Sequence, residues 1–420
     1  METPEQYRPL TPEDLATRLA SIGAVAERVG TDPAAWDVKE VGDGNLNLVF
    51  IVEGPAGAVV VKQALPYVRL VGDSWPLPLY RAFFENHALV RQATRDPGSV
   101  PEVFHFDETQ ALIVMEFLAP HKILRRKLIE GEKVEGLGDF LGRFCARTAF
   151  RGSELSMKSA DKKNDVGLFA GNIEIPAITE ALVFTDPYYE AEMNHHTDGL
   201  DAVVKDLRSD ARLKARVQRL MMKFASNTET MVHGDLHSGS IMSTGDESRV
   251  IDPEFVQYGP MGFDLGMLVA NFLMAYFSQP AHRQDVDLEA YQEWLLAVIS
   301  ETVAAFEDEF RQLWATERTG MLYPQTLFEG QGHASDEVCE ELLAEIRVDA
   351  LGFCGIEMHR RTLSLAHNAD FEEIEDKVLK AALEARNLLM GADLIRNAGM
   401  IGTTEELLSL ARNYNGRDIL

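Results

Sequence analysis

The chain has 420 residues, 46% of them hydrophobic and 25% charged, enough for two or three ordinary domains or one larger two-lobed protein with a sizeable core. Lys+Arg of 40 against Asp+Glu of 67 gives a formal charge of −27, which argues against nucleic acid or an anionic membrane as partner, since both need a basic footprint. Any anionic ligand must then be held by a local cluster of cations against the global field. Cys145, Cys339 and Cys354 have neither metal-ligand spacing nor an even-numbered framework, as expected in a reduced, cytoplasmic setting. The opening Met-Glu-Thr-Pro-Glu-Gln is acidic and polar, unlike a signal peptide.

Thr11-Pro12-Glu13-Asp14 ahead of Leu15, Leu19 and Ile22 reads as a helix cap, a first-turn proline and an acidic first turn, with the helix predicted to run to about Gly30. Residues 36–41, 46–52 and 58–62 follow as three strands of a meander, separated by Gly42-Asp43-Gly44-Asn45 and by a turn over 53–57. Residues 64–78 read as a loop containing Trp75. Residues 80–92 have helical apolar spacing around Glu85, and two more strands are predicted at 103–106 and 111–115. From Glu116 onward the pattern is mostly helical. The longest apolar run, 265–277, contains Asn271 and is too short to span a bilayer, so it reads as a buried helix. The Gly-, Gln- and Thr-rich stretch 316–336 reads as a connection between helices.

The most informative residues lie between 232 and 255. Val232-His233-Gly234-Asp235-Leu236-His237-Ser238-Gly239-Ser240-Ile241 is followed by a short predicted strand, 249–251, and then by Asp252-Pro253-Glu254. Two acids, each beside an apolar run and joined by a hairpin, suit phosphoryl transfer. One carboxylate orients the attacking hydroxyl while another holds the Mg²⁺ that neutralises the phosphates. Lys62 ends the third strand, after a Gly-turn hairpin and before the Glu85 helix. Alone it reads as a solvated strand end; in this order it reads as the cation that pairs the α/β-phosphates, with Glu85 as its holder. The Gly42–Asn47 stretch is either a hairpin turn needing positive φ or a lid with backbone N–H groups aimed at phosphate. His233 and His237 suit loop packing and hydrogen bonding better than metal binding. Asp264 reads as a structural brace for the loop. Arg360-Arg361 reads either as salt-bridged helix surface or as charge stabilisation for a moving phosphoryl group.

These residues resemble the small-molecule kinases with a protein-kinase-like fold, the aminoglycoside phosphotransferases, choline kinases and homoserine kinases. Further stretches narrow the likeness: Gly42 to Phe50, Val61 to Tyr67, Gly72-Asp-Ser-Trp-Pro-Leu77, Val183-Phe-Thr-Asp-Pro-Tyr-Tyr189 and the Arg360-Arg361 pair, over about residues 35–370. Together they resemble the 5-methylthioribose kinase family. The resemblance implies an α+β, bilobal, protein-kinase-like fold. A small N-lobe, residues 1–116, would carry a five-stranded antiparallel sheet plus a helix, and a large, mostly helical C-lobe would span 117–420. It implies ATP-dependent phosphorylation of the anomeric hydroxyl of methylthioribose in methionine salvage, with ATP and Mg²⁺, in a cytoplasmic homodimer. Carried over by position, Asn47 and Lys62 contact ATP and Glu116-Phe117-Leu118 forms the adenine hinge. Asp235 is the base. Asp252, Pro253 and Glu254 form the metal-binding segment, with Asp252 and Glu254 as ligands. Trp75, Arg360 and Arg361 serve the sugar.

Two departures from the broad kinase pattern stand out. Ser240 replaces the usual Asn five residues after the base, and Asp-Pro-Glu replaces Asp-Phe-Gly, with proline fixing φ. Alternatives are a kinase for an aminoglycoside, choline or homoserine, and a nucleotide-binding pseudokinase scaffold. The intact set Lys62, Asp235 and Asp252 argues against the last.

Overall fold

The computed structural model describes residues 6–41, 46–68, 72–283 and 287–417. By its contacts the chain divides into two units. One comprises Met1–His121, Asn172–Ile175 and Arg249–Val256, and the other comprises Lys122–Gly171, Pro176–Ser248 and Gln257–Leu420. The sequence suggests a single cut between 116 and 117. Instead two later segments return to the first unit, anchored by Val250 N–H on Ser99 O at 2.8 Å and by Asn172 Nδ2 on the carbonyls of Glu254 and Val256.

The first unit is built on a five-stranded antiparallel sheet in the order Asp37–Glu40, Asn47–Gly54, Gly57–Ala64, Leu112–Glu116, Val103–Asp107. Alternation with period two puts Val59 and Val61 on one face. There they pack with Phe50, Val52 and Val114 beneath the N-terminal helices. Lys62 falls on the other face, toward the helix Arg81–Arg95. The Gly42-Asp43-Gly44-Asn45 turn lies outside the described residues.

The single helix predicted to end near Gly30 is two helices, Pro12–Leu19 and Gly23–Val29, broken where Ile22 is extended at φ −88°, ψ 105°. At 100° per residue, Val25 in a continuous helix would point about 120° away from Leu19. The break resets the phase, so that Leu15, Leu19, Val25 and Val29 all enter one core. The second helix comes so close to the hairpin that a Cβ on Gly54 would lie 2.3 Å from Val29 O. The predicted loop over 64–78 contains a strand pair, Tyr67–Val68 with Gly72–Pro76.

The second unit is mostly helical. Leu137–Arg151 packs on Leu288–Thr316, and Asp336–Leu363 packs between Gly262–His282 and Lys377–Asn397. Phe184, Phe224, Phe263, Phe353 and Ile356 lie at the centre of one core cluster. The apolar run 265–277 is the buried middle of Gly262–His282, and no single described helix is long and apolar enough to cross a membrane. The stretch 316–336 connects two long helices through short 3-10 turns. Thr230–Val232 pairs with Gln257–Gly259, enclosing both acids of the motif in sequence. Ile241–Ser243 pairs with Lys122–Ile123. The strand predicted at 249–251 is Ser248–Val250, so Asp252 does not close it directly.

Candidate active site

In the first unit Lys62 lies among three carboxyl groups. Its Nζ donates to Glu85 Oε1 at 2.7 Å and to Asp252 Oδ1, and stands 4.0 Å from Glu254 Oε1. Glu85 is therefore the holder of Lys62 that its helix suggests. Burial alone would lower the Lys62 pKa; the charges of Asp252, Glu85 and Glu254 outweigh it and raise the value. Burial pushes Glu85 and Glu254 upward against the pull of the same lysine.

Glu254 is held on several sides. Asn47 Nδ2 donates to both of its oxygens at 3.2 Å, and Arg81 Nε stands 3.5 Å from Oε2. Arg81 is wholly buried and was not legible as a site residue. Its fork donates to the carbonyls of Leu65, Pro78 and Leu46 and to Asn47 Oδ1. The guanidinium thus ties the chain just after the glycine turn to the acid that follows Pro253. Asp252 adopts φ 69°, a left-handed conformation that Asp tolerates better than most residues. Its side chain is 46% exposed, whereas that of Glu254 is 5% exposed.

One oxygen from each of Glu85, Asp252 and Glu254 lies within 4.8 Å of the others. Three carboxyl groups face two cations, Lys62 and Arg81. That leaves one formal negative charge and an all-oxygen donor set, the chemistry that suits a hard divalent cation. Glu116 ends its strand with its N–H on Glu102 O and its carboxylate accepting from Glu102 N–H. The side chain is thus spent on the sheet, and any role at the hinge falls to the backbone of Glu116, Phe117 and Leu118.

In the second unit Asp235 sits on the connection after Thr230–Val232. Gly234, at φ 88°, supplies the turn before it. Asp264 braces this turn by accepting the N–H groups of His233 at 2.6 Å and Gly234 at 3.1 Å, the structural part read for it from sequence. Ser240 Oγ donates to Asp235 O at 2.9 Å, so the residue in place of the kinase Asn clamps its own loop. Arg361 Nη2 donates to Asp235 Oδ1 at 3.0 Å, Arg360 Nη1 lies 3.9 Å from the same atom, and His237 Nε2 lies 3.2 Å from Oδ2. Burial would raise the Asp235 pKa. His237, Arg361 and Arg360 reverse this and hold it well below the usual carboxylate range.

The twin arginines are salt-bridged, as one sequence reading has it, yet each is 5% exposed and does not belong to a helix surface. Arg361 Nε donates to Glu357 Oε1 at 2.6 Å and Arg360 Nη1 lies 3.4 Å from it, on a glutamate with no exposure at all. Glu357 was missed as a site residue. Its position three and four residues before the arginines was the available signal. Trp75 lies in the strand Gly72–Pro76, and its side chain is outside the described residues.

Comparison with known proteins gives the family of the chain. The phosphotransferase enzyme family matches residues 37–301. A methylthioribose kinase of Escherichia coli O45:K1 is 41% identical over 412 residues, covering 97% of this chain and 98% of its own. Methylthioribose kinase 1 of Oryza sativa subsp. japonica is 40% identical, covering 91% and 90%. A methylthioribose kinase of Geobacillus sp. (strain WCH70) is 39% identical, covering 97% and 96%. With such identity over nearly the whole length of each, the chain belongs to the methylthioribose kinase family, within the phosphotransferases of protein-kinase-like fold.

Proposed function

We propose that the chain transfers the γ-phosphoryl group of ATP to the anomeric hydroxyl of 5-methylthioribose, giving methylthioribose 1-phosphate and ADP, a step of methionine salvage. The observation that carries this over a cationic acceptor is the pair of arginines beside the base. Asp235 faces Arg360 and Arg361 directly, so its carboxylate is already matched by guanidinium groups and offers no unpaired charge to the ammonium group of choline or an aminoglycoside, which suits a neutral sugar.

In this reading the carboxylate of Asp235 accepts a hydrogen bond from the sugar hydroxyl and orients its oxygen toward the γ-phosphorus. The new O–P bond forms as the bond to the β-phosphate oxygen breaks, and the hydroxyl proton passes to Asp235 late in the step. A base with a depressed pKa suits a transition state that needs little proton transfer before bond cleavage. Arg360 and Arg361 offset charge on the moving group. Lys62, kept charged by its carboxylates, meets the α/β-phosphates, and Asn47 borders the nucleotide. The backbone of Glu116, Phe117 and Leu118 meets adenine. Asp252 and Glu254, flanking Pro253, are the residues that would hold Mg²⁺, which supplies charge neutralisation for the triphosphate. The resemblance assigns Trp75 to the sugar. The cytoplasmic location and the homodimer implied by the resemblance belong to the same proposal.

The test is ADP release coupled to acceptor, comparing methylthioribose with choline, homoserine and an aminoglycoside. Turnover with choline or an aminoglycoside, and none with methylthioribose, would refute the assignment.

A further inference from the structure

Arg125 is the second residue of the helix Leu124–Glu130, and no part of the reaction described above uses it. Its side chain is 15% exposed, and its Nε and Nη2 are both engaged. Nε donates to Ser238 Oγ at 3.1 Å and stands 3.4 Å from Asp370 Oδ2. Nη2 donates to Asn271 Oδ1 at 2.9 Å and lies 3.2 Å from His237 Nδ1. Asn271, the polar residue that interrupts the apolar run of Gly262–His282, is itself held by its Nδ2 on Met267 O at 3.0 Å. The fork is therefore anchored on two sides before it reaches the imidazole.

The chemistry of His237 follows from what its Nδ1 faces. Gly239 N–H donates to that atom at 2.8 Å, and a backbone amide can only donate. A guanidinium, too, can only donate. With these two donors on it, Nδ1 carries a lone pair. A neutral imidazole then bears its proton on Nε2, which points at Asp235 Oδ2 from 3.2 Å. We propose that Arg125 is a positioning residue for phosphoryl transfer, locking His237 in the Nε2–H tautomer so that the imidazole fixes the second oxygen of Asp235. The proposal rests on the role given to Asp235 above.

The lock has a specific use. Arg361 holds Oδ1 of Asp235 and His237 holds Oδ2. Each carboxylate oxygen has two lone pairs, so one on each stays available for an acceptor hydroxyl while the plane of the group cannot turn. The charged groups that bear on His237 are Asp235, Arg361 and Arg125, and burial together with the two arginines draws its pKa down to about 3 against the pull of Asp235. Around Asp235 the cluster balances: Arg125, Arg360 and Arg361 against Asp235, Glu357 and Asp370. Removing Arg125 takes away one donor to Nδ1 and one neighbouring positive charge. Only Gly239 N–H then remains on Nδ1, and with one opposing charge fewer the imidazole takes up a second proton or changes tautomer more readily.

The experiment has two arms. Long-range proton–nitrogen correlation on ¹⁵N-histidine-labelled full-length enzyme reads the His237 tautomer without any acceptor; the expected result is Nε2–H from about pH 6 to 8. The second arm measures turnover in Arg125→Ala and Arg125→Lys. Both should lose about 10- to 100-fold in kcat with KM for ATP unchanged. Arg125→Ala alone should gain an acid limb in kcat near pH 6–7, roughly the unperturbed histidine range. Arg125→Lys keeps the charge and should not gain it. An Nδ1–H tautomer in the unaltered enzyme overturns the proposal. So does a kcat loss in Arg125→Ala with unchanged pH profile and unchanged His237 resonances, which would mark a structural prop only. Should Arg125→Ala fail to fold, the tautomer and the Arg125→Lys kinetics still decide. Because the resonances need no sugar, failure of methylthioribose turnover would overturn the substrate assignment and leave the tautomer standing.

Discussion

Arg361 donates to Asp235 Oδ1 from Nη2 at 3.0 Å while its Nε donates to Glu357 Oε1 at 2.6 Å, so one guanidinium serves both Asp235 and a buried counter-ion. On a helix surface either arginine could be truncated at little cost to the fold. The burial of Glu357 revises this. Arg361→Ala leaves a fully buried carboxylate without its main partner, which typically costs about 3–5 kcal/mol. The variant should lose turnover by about 100-fold or more and also unfold at lower urea. A variant with unaltered unfolding midpoint would contradict the pairing.

Asp235→Asn keeps the shape of the side chain and removes its charge. Turnover should fall by about 10²–10⁴, the range for a lost general base, with nucleotide affinity little changed. Near-native kcat would show that the hydroxyl is oriented by another group.

For the proposed metal ligand Asp252, Asp252→Asn is a cleaner variant than Asp252→Ala. The backbone there is left-handed at φ 69°, and Asn tolerates that region while Ala adds strain. The expected result is loss of turnover together with a shifted Mg²⁺ dependence of nucleotide binding. If Mg²⁺ titrations of variant and unaltered enzyme superpose, Asp252 is not a ligand.

His359 gives a test of pH dependence outside the reaction. Its Nε2 donates to Leu388 O at 2.9 Å and Tyr188 hydroxyl lies 3.1 Å from Nδ1, while burial holds its pKa at about 4. The unfolded chain takes up this proton below about pH 6.5 and the folded chain does not. The stabilisation is therefore complete above that pH and is lost as pH falls toward the folded value. His359→Gln lacks this term. The stability advantage of the unaltered protein over the variant should thus shrink by about 2 kcal/mol between roughly pH 6.5 and 5. Chemical denaturation at both pH values measures it, and a constant difference would mean that His359 is protonated in the fold or already shielded when unfolded.

Lys62, Glu85, Asp235 and Asp252 were legible because each stands at a fixed place in a local pattern: a strand end, a helix face, a Gly-rich turn, the close of an apolar run. Arg81 was not. A charged residue opening a helix reads as solvated, and its burial depends on Glu254 and on three carbonyls that only the folded chain brings near it. Asn47 shares this dependence, since its partner Glu254 is 207 residues away. The break at Ile22 was hidden for another reason: periodicity was read across it as one phase. The strand pair within 64–78 was hidden by turn residues that dominate its composition.

The return of Arg249–Val256 to the first unit bears on how the protein is made. When residue 121 leaves the ribosome the five strands of the sheet are all present, yet Lys62 and Arg81 lack the acids of the later segment. At ordinary rates of translation the wait is on the order of ten seconds. During it the nascent sheet carries a guanidinium with no carboxylate at Glu254 to meet it. A fragment ending at residue 121 should accordingly be far more sensitive to protease than the same residues in the full chain. The first unit is thus not a module that could be cut out and moved, because its last stitch is sewn from the far side of the sequence.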